Sequence, residues 1–216
     1  MPTTLTDLTK LIATGEGLHL EFKRKVPSPA RFSKEVVALA NTQGGRLLIG
    51  VDDDGTPVGV RDAEETEYTL HEALSTCCVP LPRFATEQVP VTRRRTIIVV
   101  KVPPSTRRPH FVQDADGSRT AYVRVEDMSV EASKEAVRLM RFEQNERDVQ
   151  FEFGEKELLL MRYLEAYSRI TVLEFSRLAN IPRKRASQTL VLLAKAKILQ
   201  LHADPKQDYF TRSFAA

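Results

Sequence analysis

The fold of the N-terminal part of this protein is decided by residues 38–55, which read ALANTQGGRLLIGVDDDG. The small apolar residues at the start belong to the end of a helix, and residues 46–51 form an apolar run typical of a buried strand. Between them, Asn41 and the pair Gly44 and Gly45 allow a tight turn, because glycine readily adopts left-handed backbone conformations. The segment therefore predicts a helix that passes directly into a central strand of a sheet.

The flanking sequence predicts further helices and strands. Alternating apolar and polar residues indicate a strand at residues 18–23, and Ser28 followed by Pro29 marks the start of the helix that ends near Gly44. The acidic turn of residues 52–55 is followed by a second strand at 57–60, which would form a hairpin with residues 46–51. The remaining predicted elements are helices at residues 4–14, 64–79 and 131–147 and strands at 89–91, 96–102 and 121–125.

The composition excludes several classes of protein. The chain has 216 residues, of which 42% are hydrophobic and 28% charged, as in an ordinary globular protein. It lacks an apolar stretch of the roughly 18–20 residues that span a bilayer, and its first residues do not have the pattern of a secretory signal. Cys77 and Cys78 are adjacent, which disfavours a disulfide between them and gives no zinc-binding spacing. We therefore expect a cytoplasmic protein without a membrane partner.

Basic charge is concentrated at the C-terminus. Residues 155–216 contain eleven Lys or Arg and six Asp or Glu, whereas the rest of the chain has 21 basic and 23 acidic residues. A segment with excess positive charge is the part expected to contact phosphates. A polar, poorly periodic stretch at residues 144–154 precedes it, so we predict two domains, at 1–150 and 151–216.

The C-terminal segment has the order of elements typical of a winged helix-turn-helix. Helices are predicted at residues 155–167, 172–179 and 183–196, and a hairpin of two short strands, the wing, follows. In such a domain the first turns of the third helix enter the major groove of DNA. The polar and basic residues of those turns and of the wing tip are the predicted nucleic-acid contacts: Arg183, Lys184, Arg185, Ser187, Gln188 and Lys206.

Several motifs of the N-terminal part resemble one known family. They are Glu16 with HLEFK at residues 19–23, the segment of residues 38–55 with its continuation PVG, Pro109, YVR at 122–124 and Ala132. Together they resemble the Schlafen-type AlbA domain, which is labelled as DNA-binding in bacterial proteins and is commonly fused to a winged helix. The resemblance implies an α+β fold, with a Schlafen/AlbA-like mixed-sheet domain followed by a small winged-helix domain.

Acidic residues border the two strands of this region. If the strands are neighbours, carboxylates converge and can bind Mg²⁺ or Mn²⁺, which would activate water at a scissile phosphate. The predicted metal ligands are Glu16, Glu21, Asp52 and Asp53. Resemblance to the Schlafen nucleases implies that Glu16, Glu21 and Asp53, preferred to Asp52, are catalytic and that Lys23 contacts a phosphate. Aspartates are, however, also expected in any turn of this type.

Three functions follow from the sequence. We favour a DNA-binding transcriptional regulator that forms a homodimer, with DNA rather than RNA as its partner. The first alternative is a metal-dependent endoribonuclease that uses the carboxylates and acts on tRNA, rRNA or single-stranded nucleic acid. The second is an interaction module whose winged helix dimerises the chain without touching nucleic acid.

Overall fold

The computed structural model describes residues 3–144 and 153–213. By internal contacts the chain divides into two compact units, Met1–Glu131 and Ala132–Ala216, called here the N-terminal and C-terminal units. The domain boundary predicted near residue 150 falls outside the described residues. No helix in the described part of the chain combines the length and apolar character needed to cross a membrane.

The N-terminal unit is built on a mixed sheet. Its elements in chain order are α1 (Leu5–Ile12), β1 (Leu20–Lys23), α2 (Pro29–Asn41), β2 (Gly45–Ile49), α3 (Ala63–Cys77), β3 (Cys78–Val79), β4 (Ala85–Thr92), β5 (Arg95–Val102), β6 (Phe111–Gln113), β7 (Arg119–Thr120), β8 (Tyr122–Val125) and β9 (Met128–Glu131). The main sheet has the order β1-β2-β5-β4, in which β1 and β2 are parallel and the other pairings antiparallel. Two smaller sheets contain β3-β6-β7 and β8-β9. This architecture confirms the predicted α+β class and mixed sheet.

The tight passage from α2 into β2 depends on the predicted glycine pair. Gly44 has a φ of 71°, which residues with a side chain rarely adopt. A Cβ atom at Gly44 would lie 2.6 Å from the carbonyl oxygen of Val102, and one at Gly45 would lie 2.6 Å from that of His19. The backbone segments at Val102 and His19 can therefore lie this close to the start of β2 only because Gly44 and Gly45 carry no side chain.

The prediction of a strand at residues 57–60 is wrong. β2 pairs instead with β1 and β5, and residues 57–60 take part only in isolated bridges. The backbone changes direction at Gly50, whose carbonyl oxygen accepts the amide hydrogens of Val58 and Gly59 at 2.9 and 2.8 Å. The local sequence predicted the reversal at residues 52–55, but the strand that pairs with β2 comes from far along the chain.

Apolar side chains cover both faces of the main sheet. On one face Leu47 and Ile49 of β2 pack with residues of α2 and α3, including Phe32. On the other face Leu48 packs in a second cluster that contains Leu8 of α1. Because β2 is buried on both faces, its sequence is a continuous apolar run instead of an alternating one. Full burial of each such side chain stabilises the fold by roughly 1.5–3 kcal/mol.

The C-terminal unit contains helices around a small antiparallel sheet. Its elements are α4 (Lys134–Glu143), α5 (Glu155–Tyr167), β10 (Arg169–Ile170), α6 (Val172–Leu178), α7 (Arg183–Lys195), β11 (Leu199–His202) and β12 (Tyr209–Arg212), with the strand order β10-β12-β11. The core includes Leu160, Phe175, Leu190 and Phe210, all of them buried. The three helices and the hairpin lie at their predicted positions, whereas β10 was not predicted.

Candidate functional site

Parallel pairing of β1 and β2 brings the candidate carboxylates of the N-terminal unit near one another. Glu21 lies in β1, residues 52–54 follow the adjacent β2, and the Oε1 atom of Glu16 accepts the amide hydrogen of Phe22 at 2.6 Å. Partial burial raises the pKa of the Glu16 carboxyl, and the negative charges of Glu21 and Asp53 raise it further. The three acids are therefore close enough to interact through their charges.

Glu21 is buried and paired with two cations. Its Oε2 atom accepts a hydrogen bond from Nη1 of Arg124 at 2.9 Å, and its Oε1 atom contacts Nζ of Lys23. The side chain of Glu21 is only 8% exposed and that of Arg124 is 0% exposed. A buried carboxylate is costly unless it is paired in this way. Lys23, which is predicted to contact a phosphate, bonds to Glu21 in this structure.

Arg124 on β8 is the centre of this network, and the sequence analysis did not assign it a role. Its Nη1 atom also lies 3.2 Å from Oε2 of Glu35 and 3.3 Å from Oγ of Ser129, and its Nη2 atom donates to the carbonyl oxygen of Gly17 at 2.6 Å. Its Nε atom is buried without a hydrogen-bond partner in the described structure. The sequence offers no sign of this burial, since an arginine in a short strand is usually solvated.

The carboxylates of the three aspartates after β2 differ in their surroundings. Asp52 accepts a hydrogen bond from Nη1 of Arg24 at 2.7 Å. Asp54 accepts the amide hydrogen of Thr56 at 2.8 Å, and this bond lowers the pKa of its carboxyl. Asp53 is exposed. The bonds of Asp54 to the Thr56 amide and of Asp52 to the Asp53 amide are of the kind expected in a turn, whereas the pair of Asp52 with Arg24 is not local.

This arrangement does not fit the predicted Mg²⁺ or Mn²⁺ site. Within residues 3–144 and 153–213, no three Asp, Glu, His or Cys side chains form a group that could hold a metal ion. Hard divalent cations need several carboxylate or carbonyl oxygens around one point, whereas the oxygens of Glu21 are bound by Arg124 and Lys23 and one oxygen of Asp52 by Arg24. The region is arranged as an ion-pair network.

In the C-terminal unit, α7 has one buried face and one basic face. Ala186, Leu190 and Leu193 are fully buried. The side chains of Arg183, Lys184, Arg185 and Gln188 are exposed, and none of the three cations has an ion-pair partner in the part of the chain that the structure describes. Four of the predicted contact residues therefore share an accessible surface, which we call the basic face of α7.

Ser187 does not belong to the basic face. It is only 6% exposed, and its hydroxyl donates to a carboxylate oxygen of Glu135 on α4. Nη1 of Arg138, also on α4, donates to Ser187 Oγ at 3.1 Å. In this structure Ser187 joins α7 to α4 and faces away from solvent. The sequence analysis placed it at the nucleic acid because the packing of α4 against α7 was not predicted.

Lys206 lies at the tip of the hairpin between β11 and β12. The tip is held by Asp204, whose Oδ1 atom accepts the amide hydrogens of Lys206 and Gln207 at 2.8 and 3.2 Å. These bonds lower the pKa of the Asp204 carboxyl. The Lys206 side chain is exposed, so a fourth cation of the predicted set is accessible, here on a structured turn.

Two solved structures resemble the chain at low sequence identity. The crystal structure of the DIP2311 protein from Corynebacterium diphtheriae is 15% identical, with a TM-score of 0.43; the match covers 91% of this chain and 38% of that one. The solution structure of the N-terminal domain of a RecG-related protein from Nitrosomonas europaea is 19% identical, with a TM-score of 0.36 and coverage of 70% and 95%. This chain thus spans well under half of the DIP2311 protein.

A comparison with protein families identifies more than half of the chain. No curated protein sequence matches the chain. The family described as Schlafen, AlbA_2 matches residues 16–133, which include β1, the glycine pair, the acidic turn and Arg124. Since this is more than half of its length, the chain belongs to the Schlafen AlbA_2 family.

Proposed function

We propose that this protein binds DNA through its C-terminal unit, which acts as a winged helix-turn-helix, and that it regulates transcription. The observation that carries the proposal is the basic face of α7, with three consecutive exposed cations to which no carboxylate of residues 3–144 or 153–213 is bound. The family match to the N-terminal unit supports a nucleic-acid-related function but does not specify DNA or a regulator.

The first turn of α7 is electrostatically unusual for a helix. It has no acidic residue, and Pro182 at its start provides no side-chain cap. Because the N-terminus of a helix carries partial positive charge, cations there are unfavourable by about 0.3–1 kcal/mol each. A phosphate group near this turn would offset that cost, since it would interact with Lys184 and with the free amide hydrogens of the helix.

The shape of the proposed contact favours DNA over RNA. The major groove of B-form DNA admits a helix, and arginine there can bond to guanine while glutamine can bond to adenine. The major groove of an RNA helix is deep and narrow, so side chains do not read it. Arg183, Arg185 and Gln188 would therefore read bases, with Lys184 and Lys206 at phosphates. Helix-turn-helix proteins bind paired half-sites as dimers, and we propose a homodimer here.

The proposal is tested by DNA-binding titrations of the full-length chain at several salt concentrations. We expect Arg183→Ala and Arg185→Ala, which remove proposed base contacts, each to weaken binding by about tenfold. Lys184→Ala removes a proposed phosphate contact and should lower the salt slope by about one unit. Arg162→Ala is the matched control, because Arg162 is an exposed arginine on α5 of the same unit. It removes the same charge outside the basic face, and we expect a much smaller effect.

Two outcomes separate the remaining functions. A dimer that retains no nucleic acid would support the interaction module and contradict the proposal, so the mass in solution is measured on the same samples. Equal losses in Arg183→Ala and Arg162→Ala would mean that only total charge matters and that α7 has no specific role. The endoribonuclease has no comparable support, because the Glu21 carboxylate is already bound by Arg124 and Lys23.

A further inference from the structure

A small cavity lies beside two loops of the N-terminal unit, one after β3 and the other after β5. Its volume is about 150 Å³, and its polar lining comes from Arg83 in the first loop and from Ser105, Thr106, Arg107 and His110 in the second. Drug-sized ligands occupy cavities of about 300–1,000 Å³. This cavity therefore suits one small chemical group.

Two exposed arginines give the cavity positive charge. Neither the guanidinium of Arg83 nor that of Arg107 has an ion-pair partner among the residues described, and the described lining contains no acidic residue. Guanidinium groups bind phosphate oxygens strongly, because two parallel N–H bonds match the geometry of the anion. An anion in the cavity would meet two cations and no competing carboxylate.

His110 is held in one orientation at the cavity wall. Its backbone N–H donates to Oδ1 of Asn41 at 2.8 Å, and its carbonyl oxygen accepts from Nδ2 of Asn41 at 2.9 Å. Nδ1 lies 2.7 Å from the carbonyl oxygen of Pro80, and Nε2 lies 2.7 Å from Oγ of Ser105. Since a carbonyl oxygen only accepts, Nδ1 carries the hydrogen and the neutral ring accepts the Ser105 hydroxyl hydrogen at Nε2. Burial lowers the pKa of His110, which favours this neutral form.

Ser105 in turn fixes the loop that carries Arg107. Its Oγ atom accepts the amide hydrogen of Arg107 at 3.0 Å, and its own amide donates to the carbonyl oxygen of Ala40 on α2 at 2.9 Å. The backbone of Arg107 is therefore tied to α2 and to His110 before any ligand arrives. A site that is already ordered loses less conformational entropy on binding.

We propose that this cavity binds a phosphate group between Arg83 and Arg107. The phosphate is either a free ion or the terminal phosphate of a nucleotide or nucleic-acid strand, whose remaining atoms would stay outside the cavity. Ser105 and His110 are positioning residues that hold the loop. The site uses no residue of α7, so it stands independently of the proposed function.

The first test is calorimetric titration of the full-length chain with inorganic phosphate, at constant ionic strength set by chloride. We expect saturable binding, weakened about tenfold in both Arg83→Gln and Arg107→Gln, as the loss of one charge-assisted hydrogen bond implies. The control is Arg93→Gln, which removes an exposed arginine in the turn between β4 and β5. We expect its affinity for phosphate to remain within about twofold of the wild type.

The second test compares AMP with oligonucleotides that carry a 5′-phosphate or a 5′-hydroxyl group. A preference for the 5′-phosphate that disappears in Arg107→Gln would assign the site to strand ends, whereas equal affinity for AMP and inorganic phosphate would assign it to small ligands. Absence of binding by the wild-type chain to all of these phosphate probes would overturn the proposal. Equal weakening in Arg93→Gln and Arg107→Gln would also overturn it, since binding would then depend on overall charge.

Discussion

Two charged clusters, the Arg124 network of the N-terminal unit and the basic face of α7 in the C-terminal unit, are arranged in opposite ways. In the N-terminal unit Arg124 is fully buried and bonds to Glu21 and Glu35. In the C-terminal unit the cations of the basic face of α7 are exposed and have no ion-pair partner among the described residues. Buried charges destabilise a fold unless they are paired, so the first arrangement is a requirement of the structure. The second contributes little to stability and leaves its charges available to a ligand.

The difference teaches that residue type alone does not identify a functional charge. Glu21 is predicted to be a catalytic acid from resemblance alone, and its carboxylate pairs with a buried arginine. Arg183 matches no catalytic motif, yet it is free to bind. Burial and ion pairing decide which charged groups remain available to a ligand. Variants in the Arg124 network and on α7 test this distinction.

The largest expected effect is at the centre of the buried network. Arg124→Met leaves the Glu21 and Glu35 carboxylates without their shared cation, and loss of one partner of a buried pair costs about 3–5 kcal/mol. We expect a loss of this size in the free energy of unfolding of the N-terminal unit, measured by urea denaturation. If this variant does not fold, Arg124→Lys keeps the charge but loses the multiple bonds of the guanidinium, and we expect an intermediate loss.

The control for Arg124→Met is an exposed ion pair. Arg212 bonds to Glu165 at 3.2 Å, but its side chain is 46% exposed. Exposed pairs contribute about 0–1 kcal/mol because solvent and salt screen them. Arg212→Ala should therefore have little effect on unfolding. Similar losses in the two variants would show that burial does not distinguish the Arg124 network.

Much of the fold could be predicted because local sequence signals agree with the final structure. The glycine pair predicts a tight passage into β2, and the structure has it. The apolar run of residues 46–51 predicts a buried strand, and β2 is buried on both faces. Thr171 is predicted to cap a helix, and it caps α6 by accepting the amide hydrogen of Glu174. Each of these signals depends on neighbours in sequence. The strand predicted at residues 57–60 failed because the partner of β2 is β5, which lies outside any local window.

The candidate sites were predicted less well, and for the same physical reason. Proximity of Glu16, Glu21 and Asp53 depends on the pairing of β1 with β2, which the sequence gives only as a condition and which the structure shows. The ion pair between Glu21 and Arg124 could not be predicted from the sequence, because Arg124 is more than one hundred residues further along the chain. The pairing state of a charge depends on distant partners, which residue spacing does not reveal.

A smaller effect is expected where α7 meets α4. Ser187→Ala removes the hydrogen bonds to Glu135 and Arg138, and loss of such bonds costs about 1 kcal/mol. We expect this decrease in the free energy of unfolding of the C-terminal unit and unchanged DNA affinity. Gln188→Ala, at the next position on the exposed side, should show the reverse: normal stability and weaker DNA binding. Weaker DNA binding by Ser187→Ala at normal stability would contradict this prediction and would show that Ser187 contacts DNA together with the basic face of α7.

The smallest expected effect concerns Glu16, whose charge is only partly compensated. Its raised pKa means that the folded state disfavours the ionised carboxylate, first through partial burial and then through Glu21 and Asp53. At pH 7 this charge lowers stability, and the cost disappears as the pH falls through the raised pKa towards the ordinary value of 4.5. Glu16→Gln should therefore be more stable than the wild type at pH 7 by less than about 1 kcal/mol, because the part of the side chain that remains exposed is screened by solvent.

The pH dependence separates Glu16 from the paired carboxylates. Glutamine keeps an oxygen that can accept the Phe22 amide hydrogen, so Glu16→Gln removes the charge and retains the bond. Thermal unfolding between pH 4 and 7 should show a gain that shrinks on acidification, while Glu72→Gln, an exposed site on α3, should show no such trend. A loss of stability at pH 7 would contradict this prediction, since it would mean that the Phe22 amide hydrogen bond and the charge of Lys23 favour the Glu16 carboxylate more than burial and repulsion disfavour it.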